Sequence, residues 1–168
     1  MKPDLRQVLI LLWGLGGVEF LLIKGVSRMA PKVQAAFEMQ PSPGQWVFAG
    51  LWLVFMLYSE GYRGFQLRMA PRVAARGWHL AQNPRPLHLL FAPFFCVGYF
   101  HANRRRLITS WTLSLGIVGL VRLVHLLPQP WRGLVDLGVV GGLSWGVVAL
   151  LFAAFRGPGR ADPQLPGT

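Results

Sequence analysis

Three ionisable residues, Glu19, Arg122 and Asp136, stand inside long apolar runs. Charge within a bilayer-length apolar run is costly, so such residues pair, face a polar cavity or mark a path for protons or ions. Arg122 is the cation of the three, and the turn Pro128-Gln129-Pro130 brings Asp136 back towards it. The spacing therefore predicts an Arg122–Asp136 ion pair, with Glu19 as the second candidate partner. His125, three residues after Arg122, shares its helical face and joins this intramembrane polar cluster. A register-fixing ion pair, a polar cavity or proton path, and snorkelling of a long side chain to the headgroups are three readings open for the cluster.

A second cluster is expected at the cytoplasmic face: Glu60 and Arg63, three apart on one helical turn, with His101, Arg104, Arg105 and Arg106. It could face lipid phosphates. No residue is assigned a catalytic role. Metal-ligand spacings such as HExxH are absent, no Ser-His-Asp arrangement can be argued, and no Gly-rich phosphate loop occurs. His88 and His101 flank a short apolar run and could offer nitrogens to a haem, but nothing else supports one. No metal and no cofactor are therefore expected. The single cysteine, Cys96, sits in an apolar setting that suits an inert thiol. Gly138, Gly142 and Gly146 recur every fourth residue and would let another helix approach closely.

These residues need membrane helices to position them. Hydrophobic residues make up 53% of the chain and charged residues 14%, against about 25% charged in a soluble domain. Four runs are long enough to consider as spans: 5–26, 45–62, 107–127 and 134–155. A shorter apolar segment, 87–102, is interrupted by Pro93 and suits a re-entrant or interfacial piece. The expected fold is an all-α membrane bundle forming one domain over residues 1–168, with interfacial helices and a disordered tail at 157–168. Glu19 inside the first run, with no small-x-small site following it, argues for an uncleaved first span rather than a signal peptide.

The 17 Lys and Arg residues orient the bundle. Four spans with both termini inside leave Lys24, Arg28, Lys32 and Arg132 outside, Arg122 within a span, and the other twelve in the cytoplasm. Letting 87–102 cross as a fifth span evens the split, so the positive-inside rule selects four spans. Trp46 and Trp131 then fall at the outer boundary and Tyr58, Tyr62 and Trp111 at the inner one. The net charge of +11 is read as membrane orientation and contact with anionic headgroups, not as nucleic-acid binding.

Residues 27–36 (SRMAPKVQAA) and 67–76 (LRMAPRVAAR) agree at six of ten positions with an offset of 40. Proline is favoured in the first turn of a helix, so each Arg-Met-Ala-Pro is expected to end one helix and start the next. Duplication and convergent boundary chemistry both remain open. The stretches SEGYRGFQ, APFFCVGYFHANRRRLITSW and LPQPWRGLVDLGVVGGLSWG resemble those of small, uncharacterised multi-pass bacterial membrane proteins over about residues 58–155. That resemblance implies the inner membrane and brings no activity with it. The leading expectation is a non-enzymatic helper or subunit docking with another membrane protein in the bilayer. A small transporter or permeability factor using Glu19, Arg122 and Asp136 is the alternative, and a membrane enzyme acting on lipid comes third.

Overall fold

The computed structural model describes residues 4–99 and 104–157, and all regular structure among them is helical. The expected tail at 157–168 lies almost wholly outside those residues. Asp4 accepts from the Leu5 N–H at 2.8 Å, and Gln7 accepts from the Asp4 N–H at 3.1 Å, closing a capping box. From this cap α1 runs unbroken over Leu5–Glu38, about 50 Å at 1.5 Å per residue. The expectation that Pro31 opens a new helix is thus corrected: Pro31 lies inside α1. An interior proline costs a helix about 3 kcal/mol. Packing of the flanking turns offsets it, because Gly25 faces Leu143 while Lys32 and Ala36 close on Gly133.

Helix α2, Pro43–Met56, starts from Ser42, whose Oγ accepts from the Gln45 N–H. It passes into a π-helical segment, Leu57–Met69, and then into α3, Ala70–Gln82. Backbone angles stay right-handed helical at both joints, so residues 43–82 form one rod. The Ala70 N–H donates to the Phe65 carbonyl, five residues back. That wider turn directly precedes Pro71, whose ring would crowd a carbonyl in a regular α-turn. The second Arg-Met-Ala-Pro therefore changes the kind of turn without breaking the helix.

The segment around Pro93 folds as two short helices, α4 (Pro86–Leu90) and α5 (Ala92–Val97). Gly98 ends α5 in the left-handed region at φ 96°, where a side chain would be strained. Gly14 of α1 faces Cys96 and Ala92, and Gly17 meets the Pro93 ring, so α5 lies tight against α1. Among the described residues, helix α6, Arg104–Val124, packs substantially against no other helix; the Tyr99 ring meets Trp111 edge-on at 5.3 Å. Helix α7, Trp131–Phe155, is the centre of the bundle.

Contacts along α7 set the registers. Gly133 meets Ala36 and Gly25 meets Leu143, so α1 is antiparallel to α7. Phe48 packs on Trp131, the Trp52 Nε1–H donates to the Val135 carbonyl at 3.0 Å, and the Trp145 Nε1–H donates to Gln66 Oε1 at 2.8 Å. The rod therefore runs parallel to α7. By length and composition, α1 and α7 are the described helices able to cross a membrane. The expected span 45–62 is divided between apolar α2 and the charged π-helical segment, and the expected span 107–127 falls largely in the detached α6. Four separate apolar spans are therefore not what the helices present individually.

Candidate functional site

Polar groups gather at three levels of the bundle. At the level where α7 begins, Lys32 Nζ lies 4.0 Å from Asp136 Oδ2, with the Asp136 side chain 8% exposed. Gln129 ties this end together: its Nε2 donates to the Lys32 carbonyl at 3.3 Å and its Oε1 accepts from the Gly133 N–H at 3.2 Å. Arg132 Nη2 meets His125 Nε2 at 2.7 Å, and His125 Nδ1 meets the Val121 carbonyl at 3.0 Å. The cation beside Asp136 is thus Lys32 rather than Arg122, which is exposed. Lys32 enters because α1 continues through Pro31 and carries it back into the bundle. His125 thus links Arg132, on the far side of the turn, to the Val121 carbonyl one turn back on its own helix, and makes no hydrogen bond with Arg122. Asp136 Oδ2 and Arg132 Nε accept or donate no hydrogen bond.

Glu19 lies on the buried face of α1 beside Leu15 and Val18, and neither carboxylate oxygen has a hydrogen-bond partner. It is not brought to Asp136: α1 meets Gly133 at Ala36, far along the helix from Glu19.

The third group was not expected. Arg76 is completely buried. Its Nη1 donates to the Phe95 carbonyl at 3.0 Å, its guanidinium lies 5.1 Å from the Phe95 ring centre, and His88 stacks on the same ring at 4.5 Å. Cys96 sits beside it, fully buried. Burial pushes the Cys96 thiol up to about 12, against the opposing pull of the Arg76 guanidinium. A signal for Arg76 exists in the sequence. Val73, Arg76, Gly77 and Leu80 share the spacing of one helical face, and the other three are apolar or small and buried.

Of the expected cytoplasmic cluster, Glu60 and Arg63 are exposed, and no ion pair joins them. A methyl built on Gly142 would sit 3.2 Å from Glu60 Cβ, so Glu60 is level with the middle of α7 and not with its cytoplasmic end. Tyr58 and Tyr62, expected at the inner headgroups, share that middle level. Arg104 is exposed, His101 lies outside the described residues, and the side chains of Arg105 and Arg106 do too. Gly138, Gly142 and Gly146 are buried, against Trp52, Glu60 and Phe65 of the rod respectively. Among the described residues no group of three His, Cys, Asp or Glu side chains could hold a metal ion. No family model matches this chain, and no curated protein or solved structure matches it.

Proposed function

We propose that this chain is a multi-pass protein of the bacterial inner membrane, crossing four times with both termini cytoplasmic. It serves there as a non-enzymatic helper or subunit that docks with another membrane component. The observation that carries the reading is α6. Of its described apolar side chains, Ile108, Leu115, Ile117, Val118, Leu120 and Leu123 are more than half exposed, while Val121 and Val124 are half-buried. A helix with this much exposed apolar surface needs lipid or a partner to cover it, and the described residues of this one pack little against the bundle. Antiparallel α1 and α7, with basic residues beyond the cytoplasmic ends, fit the orientation chosen by the positive-inside rule. A photoactivatable residue at Ile117 or Leu120, irradiated in native membranes, is expected to give a discrete adduct with one membrane protein. Adducts to lipid alone would remove the docking role.

A second reading, a small transporter, is favoured by Glu19 alone: a carboxyl in the apolar core with both oxygens unbonded suits a proton carrier. It requires proton-coupled flux in vesicles that Glu19→Gln abolishes; flux unaffected by the substitution would end it.

A further inference from the structure

The π-helical segment presents one side to α7 and leaves the other uncovered. Leu57, Gly61 and Phe65 take up Gly141, Trp145 and Gly146 respectively. On the uncovered side lie Ser59 and Gly64, stacked one wide turn apart: a methyl on Gly64 would sit 3.3 Å from the Ser59 carbonyl and would meet nothing from another helix within 4 Å. The Ser59 hydroxyl is satisfied by the Phe55 carbonyl at 2.8 Å, so this strip is smooth and internally bonded. Glu60 flanks the strip on its α7 side, its Cβ 3.2 Å from a methyl built on Gly142 and its Oε2 3.6 Å from one on Gly64, and helical phase puts Arg63 on the opposite flank. Both are exposed, and neither makes an ion pair with any described side chain.

Their depth makes this arrangement informative. Glu60 is level with Gly142, Arg63 lies between Gly61, which meets Trp145, and Phe65, which meets Gly146, and α7 runs from Trp131 to Phe155. If α7 spans the bilayer, as proposed above and on which this inference rests, an acid and a base are held near mid-depth on a face that no described helix covers. Lipid cannot solvate them there. The face carries one charge of each sign on opposite flanks of a narrow strip, which is the pattern that complements itself. When two such rods pack in parallel about a twofold axis along the membrane normal, the left flank of one meets the right flank of the other. This is the rule that brings unlike flanking charges together across a parallel coiled coil.

We propose that the protein pairs with a second copy of itself through residues 59–68 of the rod. Glu60 of each protomer meets Arg63 of the partner subunit, and Ser59 and Gly64 lie on the axis. The two reciprocal ion pairs remove every unpaired mid-depth charge of this face at once. Arg68, closer to the cytoplasmic end, extends towards the headgroups. Helix α6 takes no part in this contact and stays free for the docking role.

The test is disulfide trapping in native membranes. Ser59→Cys places a thiol on the axis, where two copies approach within the reach of a disulfide, and buried Cys96 gives a low background. Mild oxidation is expected to give a dimer on a non-reducing gel. Glu60→Arg or Arg63→Glu alone sets like charges face to face and should reduce that dimer by about tenfold or more. The double exchange Glu60→Arg with Arg63→Glu restores the complementarity and should restore the dimer. The milder Glu60→Gln and Arg63→Gln serve where a reversal lowers expression, and each should weaken trapping. Absence of the Ser59→Cys dimer, a dimer indifferent to the reversals, a double exchange that fails to recover it, or trapping to a different protein would each overturn the proposal. Alkaline carbonate extraction separates the two layers of argument. Protein that stays in the membrane pellet yet traps no dimer defeats the pairing alone, whereas protein released to the supernatant defeats the membrane reading beneath it.

Discussion

Removing Lys32 should cost the protein far more than removing Arg122, although Arg122 is the basic residue that stands out in the sequence. At the 4.0 Å between Lys32 Nζ and Asp136 Oδ2, Coulomb attraction is about 4 kcal/mol at an effective dielectric constant near 20. Desolvating both ions consumes much of that, so the net worth of the pair is small, but stranding one member is expensive. Lys32→Met leaves a carboxylate 8% exposed without its cation. The general range for such a loss is about 3–5 kcal/mol; Arg132 and His125 stand near enough to temper it, so about 2–3 kcal/mol is expected. Asp136→Asn strands an ammonium that is 25% exposed and can turn towards water, and about 1–2 kcal/mol is expected. The double variant should lose about 1 kcal/mol or less, a coupling of about 2–4 kcal/mol. Exposed Arg122→Met should fall within about 0.5 kcal/mol of the parent. Denaturant unfolding in detergent micelles, followed by circular dichroism, measures all four. Strict additivity of Lys32 and Asp136, or an Arg122→Met loss as large as that of Lys32→Met, would refute the assignment.

Three glycines should respond in order of the space around them. A methyl on Gly138 would lie 2.5–2.8 Å from Trp52 and Met56, so Gly138→Ala must move a ring that holds the Val135 carbonyl and should cost about 1–3 kcal/mol. Gly142→Ala meets Glu60 Cβ at 3.2 Å and should be near neutral. Gly16→Ala meets nothing within 4 Å and should gain up to about 1 kcal/mol of helix propensity; a different order in thermal unfolding would count against the packing. Cys96, its thiol raised to about 12 by burial, should resist a small maleimide in the folded protein at pH 8, where about one thiol in ten thousand is ionised, and should react quickly after denaturation.

How legible this architecture is depends on the element. Helix α7 is plain in the sequence because its apolar run of about 22 residues, 134–155, coincides with a helix of Trp131–Phe155. The pieces around Pro93 are also legible, since that proline interrupts a segment too short to span and Gly98 ends its second helix. The helices α1 and the rod are misread at their prolines. A local rule places Pro at helix starts, but tertiary contacts on both sides of Pro31 hold the helix together, and a π-turn admits Pro71. The Arg122–Asp136 expectation fails for the same reason. It assumes that α1 ends before Lys32, and with α1 continuous a nearer cation reaches the carboxylate. Arg76 is missed because charge balance counts every arginine alike, whereas helical phase puts this one between Val73 and Leu80, inside the core.

The repeated Arg-Met-Ala-Pro gains its meaning from the direction of the helices. The offset of 40 carries α1, Leu5–Glu38, onto residues 45–78, which lie inside the rod of residues 43–82. Each copy thus sits at the same place in a long helix, with an apolar half before it and a basic half around and after it: Lys24, Arg28 and Lys32 in α1, Arg63, Arg68, Arg72 and Arg76 in the rod. The two helices run in opposite directions along α7. The apolar half of one therefore lies at the level of the basic half of the other, and α7, apolar along most of its length, is packed against both. Hydropathy judged one helix at a time puts the spans at 5–26 and 45–62, which are displaced from one another in depth by this antiparallel exchange. The first copy lies inside α1 and the second spans the join of the π-helical segment and α3 within the rod, so neither proline starts a separate helix. Two similar long helices lying antiparallel have the arrangement of an inverted repeat, and the polar half that each contributes accounts for charges at every level of a bundle whose composition is otherwise that of a membrane core.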